Sequence, residues 1–337
     1  MSTGRPIVLI GAGLAGSTLA WQLHFRGVQP LLYDRNDPST ASRVAAGLLT
    51  PITGKRMAIS WNFDRLWPDA VAFYRRVEEL TGKTVLHVRP AVRLFQSAEE
   101  RDAFHQRQAM LAPYLTAIDP PVPTACRNPF GGFAMAPAGY LDVPSFLDLT
   151  RSMFEVRERD VSTPDEPDAT VVRCTGFAGR NDKDFPWVLF NPTKGDFLRL
   201  EIPGCHEPRT IHAGGWISQA VDGTYRAGST YERDNLNPTP TEAGRAEVER
   251  KIQSFLTVPY YVREHRAAVR PIIRESRPVL GRHPQQANLW YFNGLGSKGS
   301  LLAPHYAAQL AEAILGRGPI DRDVDVCRLP GAPSCPE

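Results

Sequence analysis

The 337-residue sequence has no apolar run of membrane-spanning length and no large excess of charge of either sign. Its 39 Lys and Arg residues nearly balance 36 Asp and Glu residues, and this balance does not favour a nucleic-acid partner. Residues Met1 to Arg5 lack the long apolar segment of a signal peptide. We therefore expect a cytoplasmic protein that has neither a membrane nor a nucleic acid as a partner.

Cysteine is scarce as well, with five residues in the whole chain. They are far apart, odd in number and without a C-x-x-C pair, so we expect neither a structural zinc site nor a disulfide framework. We predict reduced thiols, with Cys335 in a frayed tail, and no metal site.

A glycine motif near the N-terminus is the first feature that indicates a function. Gly11-x-Gly13-x-x-Gly16 follows the apolar strand Ile7 to Ile10 and begins a helix predicted from Leu14 to Phe25. The first glycine permits a tight turn, the second lets backbone approach a pyrophosphate, and the third allows close packing of helix on strand. The motif in this setting predicts a dinucleotide-binding βαβ unit, and an ordinary glycine-rich turn is the alternative.

Asp34 follows the predicted strand Leu31 to Tyr33, about 20 residues after the first glycine. At this position a carboxylate accepts hydrogen bonds from the ribose of the adenosine half, and it would repel a 2′-phosphate. The spacing therefore disfavours NADP but does not separate FAD from NAD. An aspartate that caps a turn at the end of a strand is the alternative.

The segment from Ser42 to Pro51 is rich in small residues that could lie against a flat ring system, and Arg43 could pair with a phosphate. A simple helix-to-loop transition explains the same residues equally well.

The other patterns predict further helices and strands. Thr239 is predicted to cap a helix that extends to about Leu256, with Pro240 in its first position and Glu242 as the capping-box partner. The last helix is predicted from about Pro304 to Leu315. Further helices are predicted at Ser60 to Leu80, Ala98 to Leu111 and Val143 to Phe154, and strands at Val85 to Phe95, Phe130 to Met135, Thr170 to Arg173, Phe197 to Leu200, Thr210 to Ala213, Gly215 to Ile217, Thr224 to Ala227 and Trp290 to Asn293.

Four segments, in this order, resemble the D-amino-acid oxidase and glycine oxidase superfamily of FAD enzymes. They are the first βαβ unit with Ser42-Arg43-Val44-Ala45-Ala46-Gly47-Leu48-Leu49-Thr50-Pro51; Asp168-Ala169-Thr170-Val171-Val172-Arg173-Cys174-Thr175-Gly176; Ala268-Val269-Arg270-Pro271 with Arg277-Pro278-Val279-Leu280-Gly281; and Asn293-Gly294-Leu295-Gly296-Ser297-Lys298-Gly299 before Leu301-Leu302-Ala303-Pro304. The Gly-Ser-Lys-Gly loop and Gly228-Ser229-Thr230-Tyr231-Glu232 look most similar to the oxidase module of the bifunctional enzyme that modifies tRNA wobble uridines. The resemblance spans most of the chain.

This resemblance implies an α/β fold, with a Rossmann-like FAD-binding domain of the glutathione-reductase type and an inserted mixed α+β substrate domain. The predicted FAD-binding domain comprises 1–84, 139–184 and 268–325, the substrate domain comprises 85–138 and 185–267, and a tail comprises 326–337. FAD is expected to be non-covalent because no His or Cys lies in a recognisable attachment motif. The stretch Glu155 to Pro167 is shorter than the family's strand pair, which leaves the adenine contacts open.

The resemblance also implies a set of site residues. The implied cofactor-binding residues are Gly11, Ala12, Gly13, Leu14, Ala15, Gly16, Asp34, Arg35, Ser42, Arg43, Ala46, Gly47, Leu48, Cys174, Thr175, Gly176, Gly294, Gly296, Ser297, Lys298 and Gly299. The implied catalytic residues are Arg270, Lys298, Tyr231 and Trp216.

Two of these residues have alternatives. Arg270 matches the arginine that clamps the substrate carboxylate, since a guanidinium is suited to bidentate binding, and a structural ion pair is the alternative. Lys298 would stabilise the negative charge of reduced flavin, and a solvated loop lysine is the alternative. Tyr225 is expected on a strand that faces the flavin. His212 and His305 are the best-placed histidines, although a structural role is expected for both.

The leading hypothesis is oxidation of a primary or secondary amine that carries a carboxylate, by hydride transfer to flavin N5, with oxygen or another acceptor taking the electrons. A second hypothesis is oxidation of a modified base in tRNA, for which Lys55, Arg56, Arg75 and Arg76 could supply a basic surface. A third is a flavin-binding protein without turnover. An NAD-dependent dehydrogenase explains only the N-terminal motif.

Overall fold

The computed structural model describes residues 5–273 and 277–334, so the expectations for Met1 to Gly4 and for Cys335 fall outside the described residues. The α-helices of the described ranges are α1 (Leu14–His24), α2 (Ala41–Val44), α3 (Phe63–Thr81), α4 (Ala98–Leu111), α5 (Val143–Met153), α6 (Glu242–Gln253) and α7 (Gly299–Ile314). The strands are β1 (Ile7–Ile10), β2 (Leu31–Tyr33), β3 (Leu48–Leu49), β4 (Ile52–Thr53), β5 (Ala58–Ile59), β6 (Leu86–Val88), β7 (Ala91–Leu94), β8 (Leu115–Thr116), β9 (Gly132–Met135), β10 (Gly139–Leu141), β11 (Val156–Arg157), β12 (Thr170–Arg173), β13 (Thr193–Glu201), β14 (Thr210–Ala213), β15 (Gly215–Gln219), β16 (Tyr225–Gly228), β17 (Tyr261–Arg270), β18 (Val279–Arg282) and β19 (Leu289–Asn293).

A six-stranded sheet with the order β11-β2-β1-β12-β19-β18 contains the first βαβ unit. Its first five strands are parallel, and β18 is antiparallel to β19. Strand β1 is completely buried and reads as a continuous apolar run, as is typical of a parallel sheet covered on both faces. This sheet and the helices packed on it confirm the predicted Rossmann-like α/β fold.

An eight-stranded sheet with the order β17-β13-β16-β15-β14-β7-β9-β8 forms the second layer system. One face covers an apolar core that includes Leu198, Leu200 and Val248, the last of which comes from α6. The strand pairs are antiparallel except β7 with β14. This mixed sheet confirms the predicted second structural part, although the domain bounds remain a prediction. Strand β17 continues to Arg270, two residues beyond the predicted boundary at 268.

The predicted cap of α6 is wrong by two residues. The side chain of Thr241, not Thr239, accepts the hydrogen bond from the backbone N–H of Gly244 at 3.1 Å, and the helix begins at Glu242. Both threonines satisfy the local pattern, and Asp196 selects the second one because its carboxylate accepts the backbone N–H of Thr241 at 3.2 Å.

The predicted start of α7 is also wrong, because the helix begins at Gly299 and includes Pro304. A proline inside a helix leaves the carbonyl four residues earlier without its usual donor. That carbonyl belongs to Ser300, and the buried hydroxyl of Tyr74 donates a hydrogen bond to it at 2.9 Å. A partner so distant in sequence leaves no local signal, so the sequence pattern suggested a helix start instead.

The thiols differ from one another in state. Cys126, Cys174 and Cys205 are buried free cysteines. Cys327 is disulfide-bonded, so the expectation of reduced thiols is wrong at that position.

Across residues 5–273 and 277–334, no helix is both long enough and apolar enough to cross a membrane. The same ranges hold no group of three or more His, Cys, Asp or Glu residues placed to bind a metal ion.

Candidate active site

A cavity of about 1,470 Å³ lies between the carboxyl edge of the six-stranded sheet and one face of the eight-stranded sheet. Most of the predicted site residues meet on its wall. Those that line it are Gly11, Gly13, Leu14, Ala15, Asp34, Arg35, Ser42, Ala46, Gly47, Leu48, Cys174, Thr175, Gly176, Trp216, Tyr231, Arg270, Gly296, Ser297, Lys298 and Gly299. The predicted residues that do not line it are Ala12, Gly16, Arg43 and Gly294.

The glycine-rich turn between β1 and α1 has the geometry that its motif predicts. Gly11 has a φ of +105°, and a Cβ there would overlap the carbonyl oxygen of Cys174. A Cβ at Gly16 would overlap the carbonyl of Gly11, so this third glycine serves helix packing and stays away from the cavity. Gly13 is different, because a Cβ there would meet only the side chain of Ser42, at 3.1 Å. Its surface therefore faces the cavity, where a ligand backbone or phosphate can approach.

Asp34 ties the end of β2 to this turn. Its Oδ2 accepts the backbone N–H of Ala12 at 2.7 Å, and its Oδ1 accepts from the backbone N–H of Asn36 at 2.8 Å and from Arg151 at 3.1 Å. A carboxylate can accept about four hydrogen bonds, so three donors leave capacity for one more. The side chain thus orders the turn and retains a free acceptor position on the cavity wall.

The segment after β2 divides into a residue on the cavity and a residue that faces away from it. Ser42 lines the cavity, and its Oγ accepts the backbone N–H of Leu14 at 2.9 Å. Arg43 instead forms an ion pair of 2.5 Å with the exposed carboxylate of Asp148. The position of Arg43 therefore gives no support to its predicted contact with a phosphate. Consecutive residues of a helix, such as Ser42 and Arg43, point in different directions.

A loop from Gly294 to Lys298 connects β19 to α7 at the opposite side of the cavity. Asn293 fixes this loop, because its amide donates to the carbonyl of Gly176 at 2.9 Å while its Oδ1 accepts the backbone N–H of Gly294 at 2.8 Å. The turn after β12 and the loop after β19 are thereby joined. Two separate segments of the predicted cofactor site form one continuous wall.

Lys298 occupies the N-cap position of α7, and its side chain points inward. Its Nζ donates to Thr53 Oγ1 at 3.1 Å and to Ser60 Oγ at 3.0 Å. Within the described ranges, no carboxylate lies within 4.0 Å of this ammonium group. Burial lowers the pKa of Lys298, because a charge in a less polar environment is costly. The alternative of a solvated loop lysine is therefore wrong.

Arg270 ends β17 and lies across Gly195 of the neighbouring strand, where any Cβ would overlap the guanidinium. No carboxylate among the described residues lies within 4.0 Å of it, so none of these residues forms a structural ion pair with Arg270. Burial lowers its pKa, and Tyr231 and Asp196 oppose that effect. Its contacts are Ser229 Oγ at 2.8 Å, the carbonyls of Thr230 at 3.2 Å and Lys194 at 3.3 Å, Thr193 Oγ1 at 3.4 Å, and the Tyr231 ring, whose centroid is 4.3 Å away.

The predicted aromatic residues separate into two groups. Tyr231 follows β16 and connects both sides of the cavity, since its hydroxyl lies 3.2 Å from Ser297 Oγ. Trp216 lines the cavity and packs over Gly228. Tyr225 lies in the core on the other face of the sheet, where its hydroxyl donates to the carbonyl of Cys205, so its expected position facing the flavin is wrong.

The two histidines also differ. His305 is buried and bonded to Asp69 at 2.6 Å, away from the cavity. His212 lines the cavity, and its buried Nε2 lacks a hydrogen-bond partner among the described residues. Burial and, to a lesser extent, the nearby Arg93 lower the pKa of His212 to about 4. His212 is therefore neutral near pH 7.

Several lining residues escaped the sequence analysis. Arg159, Asp160 and Val161 lie at the Asp34 end, in the stretch where the adenine contacts had been left open. Thr53 holds Lys298, and Ser229 holds Arg270. Hydroxyl and loop residues of this kind carry no sequence signal of their own. Only the tertiary structure places them at the cavity.

Comparisons with known proteins identify the family of this chain. A model of the DAO family, described as FAD dependent oxidoreductase, matches residues 6–313. The tRNA 5-methylaminomethyl-2-thiouridine biosynthesis bifunctional protein MnmC of Marinobacter nauticus is 26% identical over 92% of this chain and 55% of its own length. A glycine oxidase of Bacillus licheniformis is 27% identical over 57% of this chain and 53% of its own length. The chain spans about half the length of these curated relatives.

Solved structures show the same fold. Glycine oxidase from Bacillus cereus superposes with a TM-score of 0.78 at 19% identity, covering 93% of this chain and 96% of that one. Iminodiacetate oxidase from Chelativorans sp. BNC1 superposes with a TM-score of 0.79 at 22% identity, covering 98% and 100%. With the family match over most of its length, the chain belongs to the DAO family of FAD dependent oxidoreductases, and FAD is its cofactor.

Proposed function

We propose that the protein oxidises the C–N bond of a small primary or secondary amine that carries a carboxylate. The observation that carries this proposal is the guanidinium of Arg270, which is partly buried at the cavity and has no carboxylate within 4.0 Å among the described residues. A buried cation without a counterion is costly, and an anionic ligand would relieve that cost. A planar guanidinium is suited to a carboxylate in particular.

The cavity fits FAD at the other end. The open surface of Gly13, the start of α1 and the remaining acceptor capacity of Asp34 lie together on one wall. These features suit a pyrophosphate and a ribose respectively. Ala46, Gly47 and Leu48 would lie along the ring system. Lys298 supplies a cation near the start of α7.

Each residue would have a distinct task. Arg270 would bind the substrate carboxylate and orient the amine, and the Tyr231 ring would support the guanidinium by packing against it. Lys298 would stabilise negative charge that develops during the reaction, with Thr53 and Ser60 fixing its ammonium group. FAD held in the cavity would supply the two-electron acceptor for the hydride that leaves the carbon of the C–N bond, and water would hydrolyse the resulting imine. Oxygen or another acceptor would take the electrons afterwards.

The proposal can be tested with purified protein loaded with FAD, mixed anaerobically with matched pairs of amines. Each pair contains a carboxylated amine and its counterpart without the carboxylate, such as glycine with methylamine and sarcosine with dimethylamine. Loss of oxidised-flavin absorbance is the measurement. We expect bleaching by at least one carboxylated amine and a rate at least 100-fold lower with its counterpart.

Three results would contradict the proposal. A protein that cannot be loaded with FAD would contradict the cofactor assignment itself. Equal bleaching by both members of every pair would remove the role of the carboxylate. FAD binding without bleaching by any amine would favour a flavin-binding protein without turnover.

A modified nucleoside in tRNA is the second candidate substrate, favoured by the similarity to MnmC over 92% of this chain. Lys55 lies at the cavity and Arg56 is exposed, as this candidate requires. The other two residues of the predicted basic surface are engaged elsewhere, because Arg75 pairs with Glu78 and Arg76 lies over Phe25. Binding of tRNA that weakens steeply with salt, and weakens further in Lys55→Ala, would support this candidate over a small amine.

A further inference from the structure

A buried polar cluster lies behind Arg270, on the side of β13 that faces away from the cavity. Strand β13 places Gly195 and Phe197 on the cavity wall, so Lys194 and Asp196, which alternate with them, point to the opposite face. Lys194 and Asp196 are both completely buried there. Neither residue lines the cavity, and neither has a task in the proposed reaction.

The Asp196 carboxylate joins several elements. Its Oδ1 accepts from His265 Nε2 at 2.9 Å and from the backbone N–H of Thr241 at 3.2 Å. Its Oδ2 accepts from the hydroxyl of Thr230 at 3.2 Å, and that hydroxyl accepts the backbone N–H of Asp196 at 2.8 Å. The backbone N–H of Thr230 also donates to the carbonyl of Asp196 at 3.3 Å, so three hydrogen bonds hold Thr230 to Asp196.

Two cationic side chains, those of Lys194 and Arg270, lie near the Asp196 carboxylate. The Nζ of Lys194 is 4.0 Å from Asp196 Oδ2 and 3.5 Å from Glu232 Oε2, and it has no hydrogen-bond partner among the described residues. Asp196 also opposes the lowering of the Arg270 pKa by burial. The carboxylate is thus an acceptor whose negative charge is felt by two neighbouring buried cations.

Thr230 connects this cluster to Arg270. Its carbonyl accepts from Arg270 Nη1 at 3.2 Å, while its hydroxyl is fixed by Asp196. The residues on either side also hold the guanidinium, since Ser229 Oγ accepts from Nη2 at 2.8 Å and the Tyr231 ring lies 4.3 Å away. Three consecutive residues therefore support Arg270, and the central one is fixed from behind the sheet.

We propose that Asp196 is a positioning residue for carboxylate recognition, acting on Arg270 through Thr230. This inference rests on the proposed function, in which Arg270 binds the substrate carboxylate. Recognition by a guanidinium requires its position to be held within about 0.5 Å, and a support that moves loses binding selectively for the carboxylate. A purely structural role would lower stability without changing the preference for a charged ligand.

The experiment measures ligand binding to the FAD-loaded protein by the change in its flavin absorption spectrum. The probes are acetate, propionate and benzoate, each paired with the corresponding amide. The variants are Asp196→Asn and Thr230→Val, with Thr230→Ser as the conservative variant. Glu207→Gln is the matched control, because Glu207 is a buried acid of the same sheet region that pairs with Arg209 and does not line the cavity.

We expect Asp196→Asn and Thr230→Val to raise the Kd of the carboxylates about tenfold while the Kd of the amides stays within twofold. Thr230→Ser keeps the hydroxyl and should retain the affinity of the wild type. Glu207→Gln should also leave both affinities within twofold. Thr230→Val leaves the bonds from Asp196 to His265 and to α6 in place, so it keeps the test informative if Asp196→Asn fails to fold.

Arg270→Gln distinguishes a failure of this inference from a failure of the proposed function. If Arg270→Gln weakens carboxylate binding but Asp196→Asn and Thr230→Val do not, the inference is wrong and the proposed function stands. If both variants weaken amides as much as carboxylates, the role is structural and the inference is wrong. If wild type has no preference for carboxylates, or Arg270→Gln retains it, the proposed function fails and the inference fails with it.

Discussion

At the Asp34 end of the cavity, arginines and carboxylates are paired within the protein, whereas at the opposite end Arg270 and Lys298 have no carboxylate partner among residues 5–273 and 277–334. Arg151 bonds to Asp34 at 3.1 Å, and Arg35 pairs with Asp37 at 3.2 Å. Arg270 and Lys298 are held by hydroxyls, carbonyls and an aromatic ring instead. Charges that are paired within the protein fix the conformation of a loop, whereas an unpaired buried charge can be stabilised by a ligand of opposite charge.

Arg270→Gln should have the largest effect on this comparison. Removing one partner of a buried charge pair costs roughly 2–5 kcal/mol, so kcat/KM for a carboxylated amine should fall about 30- to 4,000-fold. Anaerobic flavin reduction over a range of amine concentrations measures this. Arg89→Met is the control, because Arg89 is another partly buried arginine with a lowered pKa that lies away from the cavity wall. A similar loss in Arg89→Met would point to folding rather than recognition.

Lys298→Met should slow flavin reduction by about 10- to 100-fold, the range expected when one electrostatic stabiliser is removed. Burial lowers the pKa of Lys298 below 10.5, so its charge is complete below the lowered value and is lost as pH rises through it. The wild-type rate should therefore have an alkaline limb that lies below pH 10.5 and is absent from Lys298→Met. The exposed Lys183 provides the control, and Lys183→Met should keep both rate and limb. A limb that persists in Lys298→Met would assign it to another group.

At the paired end, Asp34→Ala should weaken FAD binding about tenfold, because the turn loses a fixed acceptor and the ribose loses a hydrogen bond. Arg43→Ala should change the affinity by less than twofold, since Arg43 pairs with Asp148 away from the cavity. Fluorescence of free flavin at equilibrium measures both. An equal loss of FAD affinity in the two variants would instead support the phosphate contact that the sequence suggested for Arg43.

His212 is a third kind of group on the cavity wall, because it is neutral whereas Arg270 and Lys298 are charged. Its pKa is lowered from 6.5 to about 4, so the unfolded chain binds more protons than the folded protein between these values. Stability is therefore lost as pH falls through this window, by roughly 1 kcal/mol between pH 6.5 and pH 5.5. Urea unfolding of wild type and His212→Phe at both pH values measures this loss, which should disappear in the variant. The exposed His105 is the control, and His105→Phe should behave as wild type.

Local signals were sufficient for the first βαβ unit. The turn at Gly11, the helix after it and the end of β2 depend on residues close in sequence, and the structure has them where the pattern predicts. Arg270 and Lys298 were identified by the order of several motifs along the chain. Their roles could not be judged from sequence, because the distinction between an ion pair and an unpaired cation depends on distant neighbours.

The failures have the same physical origin. Pro304 lies inside α7 because Tyr74 supplies a donor from another helix. Thr241 caps α6 in preference to Thr239 because Asp196 holds its backbone. Tyr225 faces the core because of the register of β16, and an offset of one residue in a strand reverses the face. Thr230 acts through its carbonyl, and every residue type has that group.

Cys174 packs against the glycine-rich turn, so the reactivity of its thiol can be used to measure how often that turn opens. Its carbonyl lies against Gly11, its side chain is 5% exposed, and burial raises the pKa of the thiol. Only the thiolate reacts readily with alkylating reagents, so modification requires β1, α1 and β12 to separate transiently. The rate of Cys174 alkylation thus records how often the nucleotide-binding turn opens, and cofactor that braces the turn should slow it.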